Sequence, residues 1–134
     1  MTTLHNFGCG DVPAHRHMNP DGLAGGWVAE SATVMRGANV DVDALVYENA
    51  QVDRYTCVYG HARVYGNARV YEDARVGVDA RVFGNARVYD NARVYGRALV
   101  SGNACVYGNA RVYANAWVEG NARVGGDEQV FGYD

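Results

Sequence analysis

The chain has 134 residues, a length that suits one domain, and a formal net charge of −3 at pH 7, which argues against a general attraction to duplex nucleic acid or an anionic membrane surface. Its basic residues are all Arg, twelve of them, beside ten Tyr, so cationic groups that can stack and grip phosphate or carboxylate bidentately replace hydrated point charges. Three separated cysteines, Cys9, Cys57 and Cys105, give no disulfide framework, and no run is long and apolar enough to span a bilayer; both suit a reducing cytoplasm.

In chain order, residues 1–24 come first, with both prolines and no repeat, and are expected to form a short irregular cap or extension. The opening MTTLHNFGCGDVPAHRH carries no apolar leader segment. It does hold His5, Cys9, His15 and His17, all zinc-ligand residue types. Their spacing matches no strong metal motif, so they form a weak metal candidate that would clip the cap to the following domain. The competing reading gives them no metal role.

From Gly25 to Gly132 the sequence divides into eighteen hexads without insertion or deletion, with consensus Asn-Ala-Arg-Val-Tyr-Gly. The fourth place is Val throughout, and the second is Ala except at Gly26, Thr56 and Glu128. A helix would scatter these Val residues over three faces, whereas a strand points places two and four one way and places three and five the other. Gly followed by Asn or Asp then ends each strand in a corner of left-handed backbone. Three hexads make one triangular coil of eighteen residues, and six coils make a prism roughly 30 Å long at about 4.8 Å per coil. Stability comes from stacking, since no coil buries its apolar face alone. The domains are therefore the cap at 1–24, the repeat at 25–132 and a C-terminal end at 133–134. Glu128, charged where Ala points inward, is a plausible device against edge-to-edge growth.

An eighteen-residue coil turns the sequence into a surface map. The first face carries Trp27, Leu45, Leu99 and Trp117 at the third place and Phe83 at the fifth, an outward apolar set expected to be an oligomer interface. The second carries Arg69 and Arg87, and the third Arg75, Arg93 and Arg111 with Tyr59, Tyr95 and Tyr113. Stacked Arg residues repel unless something intervenes. Either each guanidinium lies over a Tyr ring, or an anionic planar ligand bridges the Arg residues and stacks on Tyr. Gly77, in place of Tyr, is expected to leave an open notch between Tyr59 and Tyr95. One corner reads Asp43, His61, Asp79, Arg97, a charge ladder that would pin register. The densest departures from consensus, Tyr55, Thr56 and Cys57, precede His61.

These hexads resemble the left-handed parallel β-helix of hexapeptide-repeat proteins, a class that includes acyltransferases and γ-class carbonic anhydrases. The NARVYG-type repeat and the lead-in VPAHRHMNPDGLAGGWVAESATV are similar in particular to β-solenoids of bacteria and bacteriophages. The resemblance implies the left hand, which general crossover rules would not favour, and favours a homotrimer. It is weak for function, because this fold hosts many. The acyltransferases extrude loops to build a cofactor pocket, and the hexads here extrude none. The carbonic anhydrases hold zinc with three His, and the hexads supply only His61. Catalysis and a cofactor are therefore not expected. The favoured reading is a non-catalytic binder of an anionic, nucleotide-like molecule in the cytoplasm, even a phage-encoded sponge for a host nucleotide signal. A rigid spacer or tip of a phage particle is the alternative, with an enzyme third.

Overall fold

A computed structural model describes residues 3–8 and 10–131. Every regular element among them is a strand, and no helix is long and apolar enough to cross a membrane. The strands form a parallel β-solenoid of six coils with three flat faces.

Each coil contributes one short strand to each face. The first face stacks β3 (Ala24–Ala29) on Leu45–Val46, Arg63–Val64, Arg81–Val82, Leu99–Val100 and Trp117–Val118. The second runs from Thr33–Val34 to Arg123–Val124, and the third from Asn39–Val40 to Gln129–Phe131. Register is eighteen residues throughout, as in Trp27 opposite Leu45 and Arg75 opposite Arg93. Backbone amides of one coil donate to carbonyls of the next, such as Leu45 N to Ala62 O at 3.1 Å and Tyr47 N to Val64 O at 3.0 Å. The core is the expected ladder of Val with Ala, almost all of it removed from solvent.

The corners differ from expectation in one respect. From Gly60 onward every described sixth place has left-handed backbone, the glycines such as Gly60, Gly66 and Gly84 with φ of 61–68°. Of the earlier sixth places only Glu48 shares it, and in the first coil Gly37, at a first place, has φ of 101°. No first-place Asn or Asp among the described residues shares it. Five sixth places are not glycine yet adopt the same conformation: Glu48, Glu72, Val78, Asp90 and Ala114, with φ of 57–60°. From Gly60 onward the corner geometry is thus imposed by the stacked coils, and side chains must accommodate it. First-place Asn residues serve otherwise, as an amide ladder in which Asn85 donates to Asn103 and Asn103 to Asn121, both at 3.3 Å.

The N-terminal segment is regular rather than irregular. β1 (Leu4–Asn6) pairs antiparallel with β2 (Asp11–Met18), and β2 pairs antiparallel with β3. This hairpin covers the edge that the first coil would otherwise present. Beyond it the Asn19 amide donates to Val40 O at 3.0 Å and accepts from Val40 N at 2.9 Å. His17 Nε2 lies 2.7 Å from Ala38 O, and because a carbonyl only accepts, that nitrogen carries the proton. The opening coil therefore has its backbone groups satisfied on two faces by the lead-in segment.

Candidate functional site

The three histidines of the lead-in are used separately. His5 stacks on Trp27 with ring centres 4.7 Å apart, His15 pairs with Glu30 at 2.8 Å, and His17 is buried against Ala38. Among the described residues no three His, Cys, Asp or Glu side chains gather as metal ligands. Cys9 lies outside the described residues.

On the first face, the hairpin reaches down the apolar column. Phe7 stacks on Tyr47, which stacks on Tyr65, which stacks on Phe83, at 4.8–5.0 Å. Arg16 lies over Trp27 at 4.9 Å, and Trp27 and Leu45 pack partly buried against the Phe7, Ala14, Ala29 and Tyr47 cluster. Half of the expected interface is thus covered within the chain. Phe83 and Leu99, half-buried, and Trp117, 62% exposed, form its open remainder.

The corner residues His61, Asp79 and Arg97 do come together, in a groove shared with Arg63, Arg81 and Leu99. Among the described residues no ion pair within 4 Å links them to one another or to Asp43. On the second face Arg69 and Arg87 stand in register. The ring column beside them, Tyr71, Tyr89 and Tyr107, is continuously stacked at 4.9–5.5 Å.

The third face holds the site with the strongest chemical character. Arg75, Arg93 and Arg111 occupy three successive coils in direct register. They line an open groove of about 500 Å³ together with Tyr55, Cys57, Asp73, Asn91 and Asn109. Places one and three of a strand project on the same side, which is why Asp73, Asn91 and Asn109 flank the three Arg residues two positions on. That period-two relation was present in the sequence and would have found these partners. Tyr55 and Cys57, expected only as departures from consensus, prove to line this groove, while Thr56 is a core residue whose hydroxyl donates to Val70 O at 3.3 Å and Glu72 O at 3.4 Å.

Two expectations for this face are corrected. The notch at Gly77 is closed: a Cβ there would lie 1.9 Å from the Tyr59 ring, so that ring occupies the place of the missing side chain. The absence of a side chain in one coil lets the ring of the preceding coil fold down over it. Nor do the guanidinium groups lie over tyrosines, since among the described residues the Arg over a ring is Arg16 on Trp27. Tyr95 and Tyr113 instead stack on each other at 5.1 Å, and Tyr113 on Phe131 at 5.5 Å. Rings already in stacking contact leave no slot for a planar ligand between them. Of the three tyrosines expected to share the ligand with Arg75, Arg93 and Arg111, Tyr95 and Tyr113 form a stacked wall outside the lining of this groove, whereas Tyr59 lines an adjoining cavity with Cys57 and Arg75.

The electrostatics are uneven. No described carboxylate pairs with Arg75, Arg93 or Arg111, and none of the three guanidinium groups donates a hydrogen bond to a described residue. Across the corner the acids crowd: burial of its surroundings, then the charge and hydrogen bond of Asp90, and then Asp73 and Asp53, raise the Glu72 carboxyl above its ordinary value. Asp90 accepts from Gly108 N at 3.0 Å and Asp127 from Asn109 Nδ2 at 3.3 Å. The groove thus has a basic floor and a separate acidic corner that do not neutralise each other. Such a surface can hold an anion that also carries hydrogen-bond donors.

Five segments of the chain, residues 58–72, 62–77, 80–94, 89–106 and 104–120, match the YdcK Beta solenoid repeat, in agreement with the coils described above. Among curated proteins and solved structures, none matches the chain.

Proposed function

We propose that this β-solenoid repeat protein holds an anionic small molecule in the Arg75–Arg93–Arg111 groove without turning it over. One observation carries the reading. Three guanidinium-bearing side chains stand in register on successive strands, about 5 Å apart, with no carboxylate partner among the described residues. Like charges at that spacing repel, so an unpartnered run costs stability unless a multivalent anion neutralises it. Arg donates bidentately to phosphate or carboxylate oxygens, and the amides of Asn91 and Asn109 stand within the same groove to add neutral donors. A volume of about 500 Å³ is of the order of small-molecule sites. The ligand class best suited is nucleotide-like. The resemblance to phage solenoids extends the proposal to a phage-encoded sponge that sequesters a host nucleotide signal in the cytoplasm.

A rigid spacer on a particle is the second reading, and the unbroken eighteen-residue register from Trp27 to Gln129 favours it. The triple substitution Arg75→Gln, Arg93→Gln, Arg111→Gln separates the two. Binding predicts that protein purified gently from its host carries a few-hundred-dalton adduct by native mass spectrometry, and that the triple variant does not. It also predicts that the variant is as stable or more stable, since repulsion is removed. An adduct unaffected by the three changes, or none in any preparation and no nucleotide bound on titration, would overturn the reading.

A further inference from the structure

The groove is chemically polar along the prism axis. At its N-terminal end stands Tyr55, at the corner where the consensus has Asn. Its ring is 69% exposed and takes part in none of the stacked columns among the described residues. It is the one aromatic ring in the lining, and both faces of the other groove-side columns are engaged by their own neighbours except at column ends. One coil further on is Asp73, which makes no hydrogen bond or ion pair with a described residue, unlike Asp90 and Asp127 nearby. Arg75 stands in the same coil as Asp73, and then come Arg93 with Asn91, and Arg111 with Asn109. Ring, acceptor with the first cation beside it, and two further cations thus follow in order over three coil spacings, about 15 Å.

We infer that Tyr55 and Asp73 are the specificity residues of this groove and that its ligand is a nucleoside polyphosphate, with the base on the Tyr55 ring, a ribose hydroxyl or base amino group donating to Asp73, and the phosphates on Arg93 and Arg111. The inference rests on the anion-binding reading above and adds the ligand's class and direction. A bare polyphosphate would gain the Arg contacts but meet the Asp73 carboxylate as a repelling neighbour. A nucleoside part turns that carboxylate into an acceptor and uses a ring that otherwise faces water. Asp73 lies within the lining, with Glu72 and Asp53 near it, whereas Asp127 beyond the other end lies outside the lining and accepts from Asn109, so the phosphates are placed toward Arg111.

The test is isothermal titration of the full chain with each of the four ribonucleoside triphosphates and with inorganic tripolyphosphate, at one fixed ionic strength. At least one nucleotide should bind about tenfold or more tightly than tripolyphosphate, the increment expected of a base–aromatic stack. Tyr55→Ala should abolish that preference and leave tripolyphosphate affinity unchanged. Asp73→Asn should narrow the preference from the other side, by tightening tripolyphosphate. Arg93→Gln should weaken every probe. Tripolyphosphate binding as well as all four nucleotides, or Tyr55→Ala weakening all probes alike, would overturn the assignment of Tyr55 and Asp73 while leaving the anion groove in place. No binding of any probe, or binding indifferent to Arg93→Gln, would overturn the groove itself. Tyr55 is exposed and Asp73 unpaired, so neither variant endangers the fold.

Discussion

At the sixth places from Gly60 onward, and at Glu48, a single left-handed φ decides what a side chain costs. Glycine is free to take it, and a Cβ on Gly66 would approach Gly84 N to 2.8 Å, so the corner also packs closely on the next coil. Glu48 and Asp90 tolerate the same φ because each carboxylate accepts a hydrogen bond from the amide one coil on, Gly66 N at 3.1 Å and Gly108 N at 3.0 Å. Val78, β-branched and without any such acceptor, has no compensation. Left-handed backbone costs an L-residue about 1–2 kcal/mol, and glycine returns part of that through the freedom of its unfolded chain. Val78→Gly should therefore raise stability by about 0.5–1 kcal/mol in urea unfolding, since the side chain is 45% exposed and contributes little packing. Gly66→Ala should lower it by about 1–2 kcal/mol. A destabilised Val78→Gly would show that the side chain packs in a way its exposure hides.

The elements here are too short to be stable singly; what joins them is the column. On the first face the Phe7–Tyr47–Tyr65–Phe83 stack ties the N-terminal hairpin to three coils of the prism. Tyr47 is buried within it, and burial pushes its phenol above the ordinary value of 10.0, with the neighbouring Arg63 opposing and Tyr65 assisting. A phenol harder to ionise in the folded chain contributes stability that is complete below the unfolded value and is lost as pH rises through the folded one. Stability should accordingly fall on going from pH 9 to pH 11, and Tyr47→Phe should flatten that fall while leaving stability at pH 7 nearly unchanged. Melting temperatures at the two pH values check this. An equal slope in the variant would assign the alkaline loss elsewhere, Tyr71 and Tyr89 being raised by burial as well.

Across the whole molecule the two ends are unlike. The N-terminal edge is covered by β2 and by the Asn19 and His17 side chains, whereas at the other end Glu128 turns outward to accept from Gly125 N at 3.2 Å, spending its carboxylate on an edge amide. The open remainder of the first-face apolar column is Phe83, Leu99 and Trp117, and we propose that it is where copies of the chain associate, a trimer being favoured by the family resemblance. Native mass spectrometry should find a closed oligomer that Trp117→Glu converts to monomer without loss of the solenoid's circular dichroism. A wild-type monomer would remove the interface from the proposal.

Much of this could be read directly from the residues, because a six-residue period with invariant Val admits few structures. Strand direction, three faces, eighteen-residue register and the Val and Ala core follow from period-two alternation repeated without a break. The Arg75–Arg93–Arg111 run follows too, being a statement about register alone. What periodicity could not supply is where side chains lean and what covers them. Tyr59 folds over Gly77, the tyrosine columns close on themselves, and Tyr55 becomes the ring that faces the groove; each depends on rotamers chosen among neighbours in adjacent coils. The hairpin over Trp27 and Tyr47 lay equally beyond reach, since residues 1–24 have no repeat and their contacts are long-range. Register in a solenoid is local and repeated, so sequence by itself determined it; the occupancy of its surface is a packing outcome, and only the tertiary structure decided it.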